Sequence, residues 1–347
     1  MKALVPASVD EQNRVHNALK HYSLPSTIVS IERNTIGFIN ATFVIETKDG
    51  KCVLRESSSA TVPAHIKFEV EVLRYLEKVG FTLTPRLIPN LNSEYQTIVN
   101  GKHYMLQNFI EGEVRASWNN IEGFDGVPLE NFFKASAEFT KAAREFAPSK
   151  TYPNFPIEYY AENASTLYDE VVNRLPESEM KQDYIEGRKE ILNFAHSLKK
   201  DLDDLEYGKY PKQLAHFDLH PGNMHYVGDE VVGIFDLDWA RMDTRFAELG
   251  GTISQSCYIY GGERSGIYYK EKIQKGLASY YRALAEGAQD RTEKRLVSAA
   301  LRGYLFYQVI WHGGWAVDNL EHPDARFIFR HFRNAFIEND FDDLFDI

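Results

Sequence analysis

Residues 216–223 read His216-Phe217-Asp218-Leu219-His220-Pro221-Gly222-Asn223, and residues 233–238 read Gly233-Ile234-Phe235-Asp236-Leu237-Asp238. His216, Asp218, His220, Asn223, Asp236 and Asp238 thus fall within 23 residues of an otherwise apolar stretch. Polar residues of this kind avoid short apolar strands, so their density asks for a chemical reason. Phosphoryl transfer from a nucleoside triphosphate offers one. It needs a carboxylate to orient or deprotonate the attacking hydroxyl, and oxygen ligands for the Mg2+ that bridges the phosphates. Asp218, Asn223 and Asp236 are the residue types for that set. A turn through Pro221-Gly222 brings Asn223 back toward Asp218, and a hairpin through Gly228-Asp229 returns Asp236 to the same end of its sheet. A second reading uses the same stretch: His216, Asp218 and His220 alternate on an extended segment and would present three ligands on one face, as in a metal-dependent hydrolase. For that chemistry Pro221-Gly222 and Asn223 are superfluous.

Outward from this island, which spans Gln213 to Trp239, the chain changes character in both directions. Upstream, short β-rich runs fill Thr27 to Glu56, with Asp49-Gly50 placed as a tight hairpin turn. A helix follows from Pro63 to Val79, since Ile66, Val70, Leu73 and Leu76 recur at helical spacing and Gly80 closes it. Further strands are expected over Arg86–Pro89, Tyr95–Val99 and His103–Phe109, after which Glu111-Gly112-Glu113 breaks the apolar pattern. Beyond Pro128 the chain turns helical, over Leu129–Phe146, Ile157–Leu175, Asp183–Leu202, Ile267–Ala285, Thr292–Val317 and Ala325–Phe336. The pattern implies an α+β protein, with an antiparallel-sheet domain over residues 1–110 and a mainly helical domain over residues 111–347.

The pair H-F-D-L-H-P-G-N and G-I-F-D-L-D resembles the aminoglycoside phosphotransferase, choline kinase and homoserine kinase-like family, relatives of the protein kinases. The resemblance implies a two-lobed protein-kinase-like fold and a small-molecule kinase that moves the γ-phosphoryl group of ATP, or another nucleoside triphosphate, onto a hydroxyl of a small metabolite or aminoglycoside-like acceptor. It implies that Asp218 is the catalytic base, that Asn223 and Asp236 hold Mg2+, that His216 supports the loop, and that Asp238 assists the metal or the substrate. In the first domain it implies a phosphate loop at Asn34 to Thr42, with Gly37 its one glycine. Arg55 becomes the cation facing the phosphates, Glu69 its helix partner, and Gln107 to Phe109 the segment that receives the base. The chain departs from the kinase pattern in having no G-x-G-x-x-G and an arginine at the lysine position, whose planar fork meets phosphate differently from an ammonium. With Asp236-Leu237-Asp238 in place of D-F-G, and no A-P-E, a small acceptor is favoured over a protein one. A nucleotide-binding pseudokinase module would share this fold, but all three catalytic residue types are intact.

Lys plus Arg number 39 against 50 Asp plus Glu, and the net charge of -11 argues against nucleic acid and anionic membrane surfaces as partners. Only Cys52 and Cys257 are present, too few for a disulfide framework, and neither a signal peptide nor a membrane-spanning run is evident. A cytoplasmic enzyme is expected. No single feature selects the acceptor. The best candidate lining is the helix near Tyr304 to Asp318, where Trp311 and Trp315 share one face beside Asp318 and would offer stacking plus a carboxylate. Tryptophans at this spacing also commonly face a core. Gly313-Gly314 between them points to the close approach of a ligand or another helix.

Overall fold

The computed structural model describes residues 4–24, 27–35, 40–57, 63–115, 127–150, 155–259, 264–285, 290–322 and 325–347. The chain divides into two compact units, one of Met1–Gly126, Pro148–Tyr152 and Gly222–Asp238, the other of Val127–Ala147, Pro153–Pro221 and Trp239–Ile347. The first unit begins with β1 (Leu4–Pro6), α1 (Val9–Leu19), β2 (Ile28–Asn34), β3 (Ala41–Thr47), β4 (Gly50–Glu56), α2 (Pro63–Lys78), β5 (Leu87–Ile88), β6 (Thr97–Val99) and β7 (Lys102–Asn108). Next come α3 (Leu129–Ala143), α4 (Ile157–Glu162), α5 (Ala164–Arg174), α6 (Glu179–Asp204) and β8 (Gln213–Ala215) of the second unit. The hairpin β9 (Met224–Val227) and β10 (Glu230–Ile234) belongs to the first unit. The chain then completes the second with β11 (Arg241–Asp243), α7 (Arg245–Ser254), α8 (Lys270–Leu284), α9 (Arg291–Asp318), α10 (Ala325–Ile337) and α11 (Phe341–Phe345).

In the first unit an antiparallel sheet runs β1-β2-β3-β4-β7-β5, with β6 also on β7. Asp49-Gly50 makes the turn between β3 and β4, where Gly50 takes φ +138 and the Thr47 hydroxyl donates to the Gly50 carbonyl at 2.9 Å. Alternation then buries Phe43 and Ile45 on one face with Leu54, Tyr104 and Leu106. That face is covered by Val15, Ala18 and Leu19 of α1, an element the hydrophobic pattern did not announce. On α2, Ile66, Leu73 and Leu76 are buried as the spacing expects, whereas Val70 is only half-buried, and Val72 and Glu69 are buried as well.

The second unit is helical around one two-stranded pair, in which Gln213, Leu214 and Ala215 stand opposite Asp243, Met242 and Arg241. The segment expected as one helix from Ile157 to Leu175 is two, interrupted at Asn163, whose amide donates back to the Tyr159 carbonyl at 2.9 Å. Helix α7 lies in a stretch where the hydrophobic pattern announced no helix. It is capped by the Thr244 hydroxyl, which accepts from the Ala247 N–H, and packs on α9. The contact is so close that a Cβ on Gly250 would lie 2.6 Å from the Leu301 nitrogen, and one on Gly251 would lie 3.0 Å from the Tyr304 ring. Both cysteines are free and buried. Among the described residues no helix is long and apolar enough to cross a membrane.

Candidate active site

Strand β4 and helix α2 deliver a cation and a carboxylate to the same buried spot. Arg55 stands opposite Thr42 on β3 and Met105 on β7, and it donates from Nη1 to Glu69 Oε1. Its second arm, Nη2, donates to Asp238 Oδ1 and, at 3.2 Å, to Asp236 Oδ1. The Asn40 amide donates to the other Asp238 oxygen. A lysine could not divide itself in this way, because an ammonium has no planar fork. Three carboxylates therefore share one guanidinium. Burial works against the charge of Arg55, but Asp238, Glu69 and Asp236 outweigh it and hold the guanidinium protonated well above its ordinary value. Burial, and then the neighbouring Asp238 and Asp236 carboxylates, push Glu69 upward against the pull of Arg55. The protein packed around Asp236, which displaces water although the side chain itself stays nearly half exposed, and the neighbouring Asp238 push it the same way. Glu69 and Asp236 thus hold their protons more tightly than free carboxylates do.

The hairpin β9–β10 sets Asn223 beside Asp236. Met224 pairs with Ile234, and the Phe235 N–H donates to the Asn223 carbonyl at 2.9 Å. Asp236 follows with φ +65, a left-handed backbone that a residue with a side chain adopts at a cost. Its side chain is 46% exposed. These residues fit a divalent cation. Asn223 and Asp236 are hard oxygen donors, and three acidic side chains, Asp236, Asp238 and Glu69, stand against the one cation of Arg55. Gln107 lies buried in β7 opposite Val53 and Leu87, and Phe109 follows the strand with the Lys51 ammonium 5.4 Å from its ring centre. Gly37 lies outside the described residues.

In the second unit Asp218 sits on a loop held by its backbone. Phe217, at φ +66, is another left-handed residue that is not glycine. Its N–H donates to Glu248 Oε2 at 3.1 Å, and the His216 backbone donates to the same carboxylate. Glu248 is 1% exposed and its Oε1 reaches no hydrogen-bond partner. Burial pushes this carboxyl up to about 7, against the downward pull of the two backbone donors. His216, fully buried with its ring edge-on to Phe139, accepts the Asp218 N–H on Nδ1 at 3.3 Å. His220 approaches Asp218 Oδ2 at 4.0 Å, but burial and His216 lower its imidazole to about 3, so the contact is not an ion pair at neutral pH. Among the described residues no three His, Cys, Asp or Glu side chains are arranged to hold a metal, His216, Asp218 and His220 included.

Two side chains that sequence reasoning passed over complete this loop. The Gln255 amide donates to Asp218 Oδ1 at 3.3 Å and to the Tyr304 hydroxyl at 2.9 Å, and Gln308 donates to the same hydroxyl at 2.6 Å. Further along α9, Trp311 and Trp315 are half-buried and flank His312, while Asp318 is exposed. Trp239 stands edge-on to Trp311 at 5.2 Å, another aromatic the sequence did not single out. Gly313 is explained by helix packing, since a Cβ there would lie 2.4 Å from Val171 of α5 and from the Tyr184 hydroxyl of α6. Gly314 has nothing within 4 Å.

Antiparallel sheet, helical remainder and paired motifs define a protein-kinase-like fold, and solved structures share it. An aminoglycoside phosphotransferase from Alicyclobacillus acidocaldarius is similar at TM-score 0.63 and 18% identity over 95% of this chain and 96% of that one. A spectinomycin phosphotransferase bound to ADP and spectinomycin is similar at 0.63 and 13%, over 96% and 97%. An amicoumacin kinase bound to AMP-PNP and Ca2+ is similar at 0.65 and 15%, over 96% and 97%. No curated protein sequence matches the chain. The sequence profile of the phosphotransferase enzyme family matches residues 30–286, and the chain belongs to that family.

Proposed function

We propose that this protein is a small-molecule kinase that transfers the γ-phosphoryl group of ATP to a hydroxyl of a small acceptor, with Asp218 as the base. The observation that carries the reading is the joining of Arg55, Glu69, Asp236 and Asp238, distant in sequence, into one cluster with an excess of negative charge beside Asn223. An anionic cluster of hard oxygens around one guanidinium suits a divalent cation and the phosphates that come with it. Asn223 and Asp236 would hold Mg2+, which would supply positive charge to offset that of the phosphates. Arg55 orders the carboxylates and, with Glu69 fixing its fork, clamps phosphate oxygens. The first unit, with Gln107 to Phe109 receiving the base, serves the nucleotide.

Asp218 orients the acceptor hydroxyl and takes its proton as the bond to phosphorus forms. His216 holds the loop through the Asp218 N–H. The acceptor lies along α9, where Trp311 and Trp315, together with Trp239, form an aromatic wall and Asp318 supplies a carboxylate for an amine or sugar. An ADP-release screen over hydroxylated amines, amino acids and sugars tests the reading. One acceptor should stimulate ADP release strongly, and Asp218→Asn should abolish most of kcat with nucleotide affinity nearly unchanged. Near-normal turnover by Asp218→Asn would remove the base from Asp218.

A further inference from the structure

Helix α7 carries two polar side chains spaced seven residues apart, and the fold spends both on the Asp218 loop. Glu248 takes the backbone N–H groups of residues 216 and 217, which fixes where the loop runs. Gln255, at the C-terminal cap of the same helix, reaches the Asp218 side chain itself. Its own backbone is tied down, with its N–H bonded to the Gly251 and Ile253 carbonyls, and the residue is 2% exposed.

The amide is also oriented. An amide can present either its oxygen or its NH2 to a neighbour, and only the NH2 suits a carboxylate, which accepts hydrogen bonds. That same NH2 meets the Tyr304 hydroxyl at 2.9 Å, and the hydroxyl receives a second donor from Gln308 at 2.6 Å. Burial, with Asp218 close by, holds the Tyr304 hydroxyl protonated well beyond its usual range. Tyr304 reaches this place because Gly251 has no Cβ to push its ring away from α7. The remaining amide oxygen of Gln255 is buried without a hydrogen-bond partner. A buried amide that leaves its oxygen unsatisfied while directing its NH2 at a carboxylate is not explained by packing, since an apolar side chain of the same shape would avoid that penalty.

We infer that Gln255 is a positioning residue for phosphoryl transfer, fixing the rotation of the Asp218 carboxylate, with Tyr304 and Gln308 as the brace that keeps its amide aimed. This rests on the role of Asp218 as base. A carboxylate that must meet a hydroxyl within hydrogen-bond reach gains from having one oxygen tethered, and a misplacement near 1 Å lowers rates by about a hundredfold. The 3.3 Å separation is at the long end for such a bond, as catalytic contacts are before substrate binds.

The experiment follows ADP release from MgATP with water as the acceptor, in the wild type and in Gln255→Met, Tyr304→Phe and Asp218→Asn. Gln255→Met keeps length and apolar bulk, and Tyr304→Phe keeps the ring against Gly251 while removing the brace. The expected result is a kcat lowered by about tenfold to a hundredfold in Gln255→Met and by a smaller factor in Tyr304→Phe, with the KM for MgATP within about twofold. The acidic limb of the kcat profile should also move to higher pH in both, because a carboxylate that loses a donor holds its proton more tightly. A packing role alone would lower the melting temperature and leave that limb in place. If Gln255→Met does not fold, Tyr304→Phe decides. Should Asp218→Asn be inactive while both other variants turn over within about twofold of the wild type, the positioning role falls and the base remains. Should Asp218→Asn turn over normally, the base reading falls and takes the role of Gln255 with it.

Discussion

Replacing Glu248 by Gln should flatten the pH dependence of stability across the range in which the buried carboxyl changes charge. In the folded protein burial raises this group from 4.5 to about 7. Between those values the native state keeps a proton that the unfolded chain has released, so stability falls as pH rises. The full contribution is present below pH 4.5 and is lost by about pH 7. At about 1.36 kcal/mol for each pH unit, this one side chain accounts for a decline of about 3 kcal/mol. Glutamine does not titrate, and its amide oxygen still accepts from the Phe217 N–H. Its NH2 would occupy the place of an oxygen that has no partner, at about 1–3 kcal/mol, so the level of stability shifts but the slope is the diagnostic. Urea unfolding at intervals from pH 4.5 to about 8 measures it, with wild type and Glu248→Gln converging or crossing as pH rises. Two curves that decline in parallel across this window would refute the assignment of the slope to Glu248.

Arg55→Met leaves Glu69, Asp236 and Asp238 without their cation and should destabilise by about 3–5 kcal/mol, read by chemical unfolding in the presence of chelator. Added Mg2+ should restore about 2.7 kcal/mol at a hundredfold excess over its Kd, and no restoration would count against a cation site there. Gly250→Ala places a methyl group 2.6 Å from the Leu301 nitrogen and should cost about 1–3 kcal/mol, whereas Gly314→Ala, with nothing within 4 Å, should be neutral or stabilising by about 0.5 kcal/mol. Asp318→Asn and Trp315→Phe should raise the acceptor KM severalfold with the nucleotide KM and melting temperature little changed; a lower melting temperature with an unaltered acceptor KM would assign Trp315 to packing.

The first unit was readable because its elements obey simple periods. Phe43 and Ile45 alternate toward one face, and Ile66, Leu73 and Leu76 recur along α2. The paired motifs were readable because polar side chains stand out from apolar strands. Helix α1 was missed although its signal is present: Ser8 and Glu11 form a capping box, with the Glu11 N–H donating to the Ser8 hydroxyl and Glu11 accepting from the Ser8 N–H. Helix α7 was hidden for a physical reason. Phe246 to Ser254 is buried throughout, so no polar face marks a period, and Gly250-Gly251 looks like a break when it is a contact surface for α9. Gln255 and Glu248 were hidden with it. A lone glutamine carries no motif, and its meaning appears only when the fold sets it against Asp218.

Phe217 and Asp236 share one property with a wider consequence. Each adopts a positive φ that L-residues disfavour by about 1–3 kcal/mol, one beside Asp218 and the other within the Arg55 cluster. Any campaign of directed evolution or consensus design that selects for heat resistance alone will be drawn to glycine or asparagine at these two positions, where relief of the backbone is immediate. Phe217→Gly would forfeit the ring that lies 3.6 Å from the Arg241 guanidinium and 5.0 Å from Tyr304, and Asp236→Gly would delete a carboxylate of the cluster. Thermostable progeny of this enzyme are therefore best sought with residues 217 and 236 held fixed.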